Sequence, residues 1–503
     1  MESESLRNQK AYIIAMSAIL SNLINPNTMP ISDDLKATIR AMPAWGQYPW
    51  RKYEDIPVEM TNKAAFKFLI LLPTRFINSL AYLIVKYFQY LPYRATSAIS
   101  ANQAKLSFFS PCIHLEEFVE PHVLGFWGEV KNLDPRLKAE AVWFLVPYKP
   151  PGISHAEVAK QISKIQSKSD FSIFALAALF DLKVLGRACF GMAKFHYYAG
   201  FCAFKSVLSS KRIKPMKVID AKNLGVGIAR VEVNRLLVKS ALSKLKSVKY
   251  IFHLMEGQSW EIALTHHAQS LNRKTIGVIH TPLRRQDSQM LNYLICGEGA
   301  DSLTGIRKIL CPNIYSVKHL EKLGVSSSKL QLVEAQRFPL HTNISQHCYS
   351  SGSTKILYVA DANSANSEYF QNQILKHLEK AGLESLDIYI QSHPAGSPVL
   401  SSAVKLWTPG VCGMWGLVVF GPETSSYLQP EFASSNVRIL KPKNSIAHVS
   451  IFGAPEIPTI EDFALVSESI LNPFVLGDKG SSLIYRNLEF SAWRKVIKDV
   501  LKS

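Results

Sequence analysis

Short apolar segments that alternate with segments of helical periodicity constrain the fold of this chain more than any other feature. In its second half, strands are predicted at residues 308–313, 329–335, 354–361, 386–393, 416–421 and 437–441. The first half has similar strands at 140–148, 248–256 and 274–280, with helices predicted over 154–168, 231–247 and 258–272. Strands separated by helices of this length predict βαβ units and parallel sheets.

The chain is long enough for more than one such domain. Its 503 residues lead us to expect two to four domains. We predict an α/β fold in four parts: a helical, membrane-proximal extension, two Rossmann-like domains and a final amphipathic helix. The predicted boundaries are 1–100, 101–300, 301–485 and 486–503.

An excess of basic residues predicts a polyanionic partner. The formal net charge is +18 and the pI is about 9.4, which would suit nucleic acid, an anionic membrane or a phosphorylated substrate. The chain lacks the basic-aromatic, KH or zinc-finger signatures of nucleic-acid binding. We therefore expect no nucleic-acid partner.

Residues 63–94 predict a helix with a basic stripe. Lys63, Lys67, Arg75 and Lys86 fall within roughly 140° of one another at the helical period, and Pro73 is expected to kink or split the helix. Such a helix suits an anionic membrane interface. The alternative is a helix packed on the core with its lysines in water.

Three observations favour a reducing compartment and a peripheral location. The seven cysteines are scattered and form no CxxC pair. The first residues lack a secretory signal, and no stretch of 18 uncharged apolar residues predicts a membrane span.

Glu256 follows an apolar strand directly and precedes a helix. This position places a carboxylate at the carboxyl end of a strand, where a general base could act. Glu261 lies about one helical turn further on. The alternative is that Glu256 and Gln258 only cap the helix that follows.

Other strand ends carry residues suited to an anion. His280 ends the next strand, with Arg284 and Arg285 close behind, and Arg337 lies beyond a later strand. Pro394 is expected to keep the residue before it, His393, in an extended conformation. Each of these could instead be an ordinary capping, turn or solvated residue.

The segment that follows residues 416–421 predicts a phosphate site. Glu423, Thr424, Ser425 and Ser426 come where a helix is expected to begin, so free amides and hydroxyls would meet there. The alternative is an ordinary N-cap. The chain has no P-loop, DxD, HExxH or GxSxG motif, so we expect chemistry without a metal or cofactor.

Taken in order, these segments resemble a known family over about residues 215–475. They are Glu256 with Trp260-Glu261, Gly277 to His280, Val333 to Phe338, His393-Pro394 and Thr424 to Ser426. The series is similar to bacterial surface carbohydrate biosynthesis proteins of the GT-B glycosyltransferase class. The His-Pro and Ser/Thr pairs also resemble those of bacterial sialyltransferases and Kdo transferases. One departure is Glu256-Gly257, where family members usually carry Glu-Asn.

The resemblance implies a GT-B fold, in which two Rossmann-like domains face a cleft. The N-terminal domain would bind the acceptor, the C-terminal domain would bind the nucleotide sugar, and the last helix would cross back. Glu256 would deprotonate an acceptor hydroxyl in an inverting transfer. His393, Thr424 and Ser425 would stabilise the departing phosphate, with His280, Arg337, Pro394, Glu423 and Ser426 also on the donor side.

The partners implied are a nucleotide sugar, with a CMP-sugar favoured, and a surface polysaccharide or lipid-linked glycan. The location implied is the bacterial cytoplasm, on the inner face of the cytoplasmic membrane. Two alternatives stay open: a non-catalytic polyanion- or polysaccharide-binding protein of the same fold, and a nucleotide-sugar epimerase.

Overall fold

The computed structural model describes most of the first 336 residues and the principal strands of the remainder. The described residues are 62–96, 104–112, 115–119, 126–149, 153–208, 225–280, 283, 306–336, 348–350, 353–360, 372–376, 387–392, 404–407, 413–421, 432, 435–440, 459–460, 469, 474–475 and 489–502.

Seven parallel strands form the first sheet. They are β1 (Leu106–Pro111), β2 (Ala141–Val146), β3 (Ser172–Ala175), β4 (Tyr250–Leu254), β5 (Lys274–Val278), β6 (Ile306–Cys311) and β7 (Leu330–Leu332). Their order is β3-β2-β1-β4-β5-β6-β7. The strand order reverses between β1 and β4, which makes this a Rossmann-type sheet with a switch point at that pair. Most of its residues are buried, as expected where helices cover both faces.

Among the described residues, seven helices accompany this sheet. They are α1 (Asn62–Tyr90), α2 (Arg136–Glu140), α3 (His155–Gln166), α4 (Leu182–Leu208), α5 (Val226–Lys244), α6 (Ser259–Ser270) and α7 (Ile314–Lys322). Helix α3 begins with a capping box in which Ser154 and Glu157 exchange hydrogen bonds. Helices α1, α4 and α5 pack on one another.

Helix α1 runs through Pro73 as one helix, so the predicted split is absent. The predicted basic stripe also differs from the structure. Lys86 is half-buried, its Nζ lies 3.3 Å from His155 Nε2, and its ammonium lies over the Tyr90 ring. Burial, with Arg230 and Lys149 nearby, lowers the pKa of Lys86 to about 8. Lys86 therefore faces the protein and not the outside.

The second sheet repeats the first topology. Its strands are β9 (Lys355–Val359), β10 (Asp387–Gln391), β11 (Val404–Leu406), β13 (Leu417–Phe420), β14 (Val437–Leu440) and β15 (Thr459–Ile460), in the order β11-β10-β9-β13-β14-β15. Two short strands, β8 (Cys348–Tyr349) and β12 (Met414–Trp415), pair separately. Alternate residues supply two apolar clusters, one containing Leu357 and the other Tyr358.

These two sheets confirm the expected α/β class with two Rossmann-like domains and an N-terminal helix. The boundary between the sheets falls later than residue 300. β6 pairs with β5, and β7 pairs with β6, so the first sheet continues to Leu332. Strand periodicity cannot reveal this boundary, because it shows that a segment is extended but not which sheet it joins. β1 was not predicted, although it lies beside β4, the central strand of the first sheet.

The final helix, α8 (Ser491–Lys502), packs against the first domain. Trp493 and Ile497 are buried in the apolar cluster that contains β1, β2 and β4. The carboxylate of Glu334, just after β7, accepts hydrogen bonds from the amides of Ala492 at 2.9 Å and Trp493 at 3.1 Å. The Trp493 indole donates to the carbonyl oxygen of Glu334. A buried carboxylate thus satisfies the free amides that begin α8.

We expect Glu334→Ala to lower the free energy of unfolding by about 2 kcal/mol, because the amides that begin α8 would lose a charged acceptor. Urea denaturation of the full-length chain measures this loss. The control is Asp499→Ala, which removes an exposed carboxylate from the same helix. Equal stability of the two variants would contradict this role for Glu334.

Two buried histidines make the fold sensitive to acid. His253 lies in β4, and its pKa is lowered to about 4 by burial, although a hydrogen bond with the Leu254 carbonyl opposes this shift. His319 lies in α7, and burial, with a smaller effect from Lys322, lowers its pKa to about 4. Both side chains are therefore neutral in the folded protein at pH values where they would be charged in the unfolded chain.

We expect stability to fall as the pH falls from about 6.5 to 4, because the unfolded chain then binds protons that the folded protein does not. Urea unfolding at a series of pH values measures the slope. His319→Gln, which removes one of the groups with a lowered pKa, should make the slope shallower over this range. An unchanged slope in that variant would exclude His319 as a contributor.

Candidate functional site

The register of two neighbouring strands brings Glu256 and His280 together. β4 pairs in parallel with β5, with Leu254 opposite Val278. Glu256 and His280 each follow two residues later, and Oε1 of Glu256 lies 3.2 Å from Nε2 of His280. This pair stands at the carboxyl edge of the sheet, on the strand next to the switch point, where ligands bind in open parallel sheets.

The turn after β4 leaves the Glu256 side chain out of helix capping. Gln258 is the N-cap of α6, and the capping box is completed by Glu261. One oxygen of Glu261 accepts hydrogen bonds from the amides of Glu256 and Gln258, both at 3.0 Å. The interpretation of Gln258 as a cap of α6 is therefore confirmed, and the acidic partner in its capping box is Glu261 and not Glu256.

Gly257 adopts a left-handed conformation with φ of 73°. Glycine enters this region without a steric penalty, and asparagine is among the few other residues that tolerate it. Glu256-Gly257 therefore suits the same turn as the Glu-Asn that the family resemblance would lead one to expect.

The two members of the pair differ in accessibility. The side chain of Glu256 is 29% exposed, whereas that of His280 is 5% exposed. The Phe126 ring packs edge-on against the imidazole, with the ring centroids 5.2 Å apart. A proton on Nε2 would let the imidazole donate a hydrogen bond to the Glu256 carboxylate across this distance. A buried imidazole thus orients a carboxylate that ligands can reach.

Gln336 is a further polar residue near this edge, four residues after β7. It is buried, and neither atom of its side-chain amide has a hydrogen-bond partner among the described residues. Its backbone lies against Gly128, where a Cβ would come within 2.7 Å of the Gln336 carbonyl oxygen. Gly128 comes two residues after Phe126, so one short segment contacts both His280 and Gln336. A buried amide of this kind is suited to a ligand that supplies its hydrogen bonds.

Sequence reasoning did not find Phe126 or Gln336. Gln336 occupies the unspecified position in the segment Val333 to Phe338, and what distinguishes it is its burial without a hydrogen-bond partner in the part of the chain that the structure describes. Phe126 lies outside every motif, and no sequence signal marks it. In the same segment, the structure gives Glu334 a role in holding α8.

Arg337, His393, Pro394 and residues 423–426 lie outside the described residues, so their predicted roles stay predictions. The strands that lead to two of these segments are described. β10 ends at Gln391 and β13 ends at Phe420, and both residues are level with Val359 of β9. The second switch point lies between β9 and β13. The chain therefore enters the 423–426 segment from the strand where a ligand site is expected.

The described residues contain no group of three or more His, Cys, Asp and Glu side chains that could hold a metal ion. The predicted independence from metal stays a prediction. What the site offers is one accessible carboxylate, oriented by a buried imidazole, beside an aromatic ring. A carboxylate so placed can accept a proton from a hydroxyl group of a bound ligand.

No protein-family model matches this chain, and no curated protein matches it. Solved structures with a similar fold include a Staphylococcus aureus MnaA–UDP co-structure, with 9% identity and a TM-score of 0.44 over 79% of this chain and 95% of that one. An α,α-trehalose-phosphate synthase from Burkholderia vietnamiensis has 9% identity and a TM-score of 0.39 over 80% and 100%. The outer core galactosyltransferase WaaB has 8% identity and a TM-score of 0.37 over 79% and 99%. At these values the likeness by itself assigns no activity, and the similarity to sialyltransferases and Kdo transferases stays a prediction.

We expect Glu261→Gln to lower stability by about 1–3 kcal/mol, because a buried carboxylate that holds two amides would lose its charge. Glu256→Gln should leave stability nearly unchanged, since that side chain is partly in solvent. Thermal and urea unfolding of both variants provide the comparison. A larger loss in Glu256→Gln than in Glu261→Gln would reverse the assignment of the structural and the accessible carboxylate.

Proposed function

We propose that this protein is a glycosyltransferase that moves a sugar from a nucleotide donor to a hydroxyl group of a glycan. The observation that carries the proposal is the pair of Glu256 and His280 at the ends of β4 and β5, next to the first switch point. A second Rossmann-type sheet, with its own switch point, supports a separate site for the nucleotide. The proposed donor is a CMP-sugar, in line with the resemblance of the His-Pro and Ser/Thr segments to sialyltransferases and Kdo transferases.

In the proposed reaction, Glu256 takes the proton of the acceptor hydroxyl as its oxygen attacks the anomeric carbon. The bond from that carbon to the phosphate oxygen breaks, and the nucleotide leaves with the bonding electrons. Configuration at the anomeric carbon is inverted. His280 is a positioning residue, because it acts through the carboxylate that it orients. His393, Thr424 and Ser425 are the proposed contacts to the leaving phosphate.

We also propose that the acceptor is a surface polysaccharide or a lipid-linked glycan and that the protein works at the cytoplasmic face of a bacterial membrane. The 18 positive charges in excess support an anionic surface or substrate. Gln336 is a proposed ligand contact, since its buried amide could bond to a sugar hydroxyl or a phosphate.

A thermal-shift screen against CMP, UDP, GDP and dTDP identifies the nucleotide. We expect one of them to raise the melting temperature, because a ligand that binds only the folded state stabilises it. Release of that nucleotide from its sugar is then measured with glycan acceptors. Glu256→Gln should reduce turnover at least about 100-fold while nucleotide binding survives.

His280→Gln should lower turnover and move the acidic limb of the pH–rate profile, which a purely structural role would not do. Glu261→Gln, corrected for its lower stability, serves as the control for a buried carboxylate outside the chemistry. Full turnover in Glu256→Gln would refute the proposed base. Sugar inversion without an acceptor would indicate an epimerase, and nucleotide binding without any turnover would indicate a binding protein.

A further inference from the structure

Helix α1 presents an apolar stripe to the outside of the protein. The residues of this stripe lie within roughly 80° of one another around the helix axis, at 3.6 residues per turn. They are Phe66, Ile70, Ile77, Ala81, Ile84 and Phe88. The side chain of Ile77 is 63% exposed. Residues 69–96 form a helical stretch long and apolar enough to cross a membrane, by length and composition alone, and little of it is buried.

Helix α4 carries a second exposed stripe of the same kind. Its members lie within roughly 80° of one another, and they are Leu182, Gly186, Phe190, Ala193, Tyr197 and Phe204. Of the 17 large apolar side chains that are exposed among the described residues, 10 lie on α1 and α4. This concentration distinguishes the two helices from scattered apolar exposure, which is normal in soluble proteins.

The two stripes face the same way. Leu72 of α1 lies against Gly200 of α4, and the Phe76 ring packs against His196, so the helices run antiparallel. Each helix is viewed from its own N-terminus. In both views, the stripe is rotated in the same direction from the residues that contact the other helix. In an antiparallel pair, this arrangement joins both stripes into one surface, which we call the α1–α4 face.

The charge along the α1–α4 face is mainly positive, although exposed Asp181 precedes the first residue of α4. Neither helix contains an acidic residue. Exposed Lys183, Arg187 and Lys194 border the stripe on α4, and the Lys194 ammonium lies 4.4 Å from the centre of the Phe190 ring. Lys67 is exposed beside the stripe on α1. An apolar surface with a basic border matches the layered chemistry of an anionic membrane surface.

We propose that the α1–α4 face docks into the interface of an anionic lipid bilayer, with both helices lying in the membrane plane. The inference extends the membrane role from α1 alone to a two-helix surface, and it is independent of the reaction proposed above. The basic border disfavours a second copy of this chain as the occupant, because a symmetric contact would bring like charges together.

The opposite side of α1 excludes a membrane-spanning role for the folded protein. Leu83 and Tyr90 are buried in the core of the first domain. The Ser79 hydroxyl donates to the Gly225 carbonyl at 2.9 Å, and Lys86 contacts His155. Insertion across a bilayer would break all of these contacts, whereas docking in the interface preserves them.

Flotation of the full-length protein with vesicles tests the proposal. We expect binding to phosphatidylcholine vesicles that contain about one-third phosphatidylglycerol and much weaker binding to phosphatidylcholine alone. The double substitution Ile77→Glu and Phe190→Glu should reduce binding at least tenfold. The control, Ile314→Glu with Met414→Glu, changes two apolar side chains elsewhere that are 45% and 62% exposed, and it should bind as the wild type does.

A second variant separates charge from apolar contact. Replacing Lys183, Arg187 and Lys194 by Gln should weaken binding to the anionic vesicles by about fivefold per charge, and added salt should weaken the wild type in the same direction. Unchanged melting temperatures show that every variant is folded. Failure of the wild type to float, or equal flotation of the double variant and its control, would overturn the proposal. A dimer in solution that the double substitution disperses would also overturn it, and resistance to carbonate extraction would overturn the in-plane arrangement.

Discussion

The parallel register of β4 and β5 is the constraint on which the candidate site depends. It sets Leu254 level with Val278, and therefore Glu256 level with His280. A shift of one residue would turn one of these side chains to the opposite face of the sheet. The left-handed turn at Gly257 and the buried carboxylate of Glu261 then hold the backbone on which Glu256 stands. The accessible carboxylate is thus oriented by groups that are themselves rigidly placed.

A second buried carboxylate, that of Glu334, attaches the C-terminal helix to the first domain. Glu334 follows the last strand of the first sheet and holds the first amides of α8, which lies more than 150 residues later in the chain. The second domain lies between these two points in sequence. Both ends of that domain are therefore attached to the first, one by the chain after β7 and the other by α8. The chain crosses between domains twice, which limits the ways in which they can move apart.

Helix α1 has one apolar side that packs in the protein core and another apolar side that is exposed. The side of α1 that carries Leu83 and Tyr90 is buried in the core, while the side that carries Ile77 and Phe88 is exposed. Both sides are apolar, so helical periodicity could not separate them. The sequence suggested that the basic residues would point outward, but burial of Lys86 beside His155 shows that part of the stripe faces the protein. Contacts with α4 and α5 decided which side is exposed.

The sequence by itself determined the α/β class, most of the strands and the order of the segments that carry polar residues. These follow from local periodicity and from the chemistry at strand ends, both of which can be read within a short window. Glu256 and His280 were each identified in this way. Only the tertiary structure showed that they touch, that Gln258 and Glu261 cap α6, and that Phe126 and Gln336 lie at the same edge. It also assigned β6 and β7 to the first sheet. Each of these facts depends on strand pairing or packing between distant segments, and side-chain periodicity within one segment carries no information about its partner.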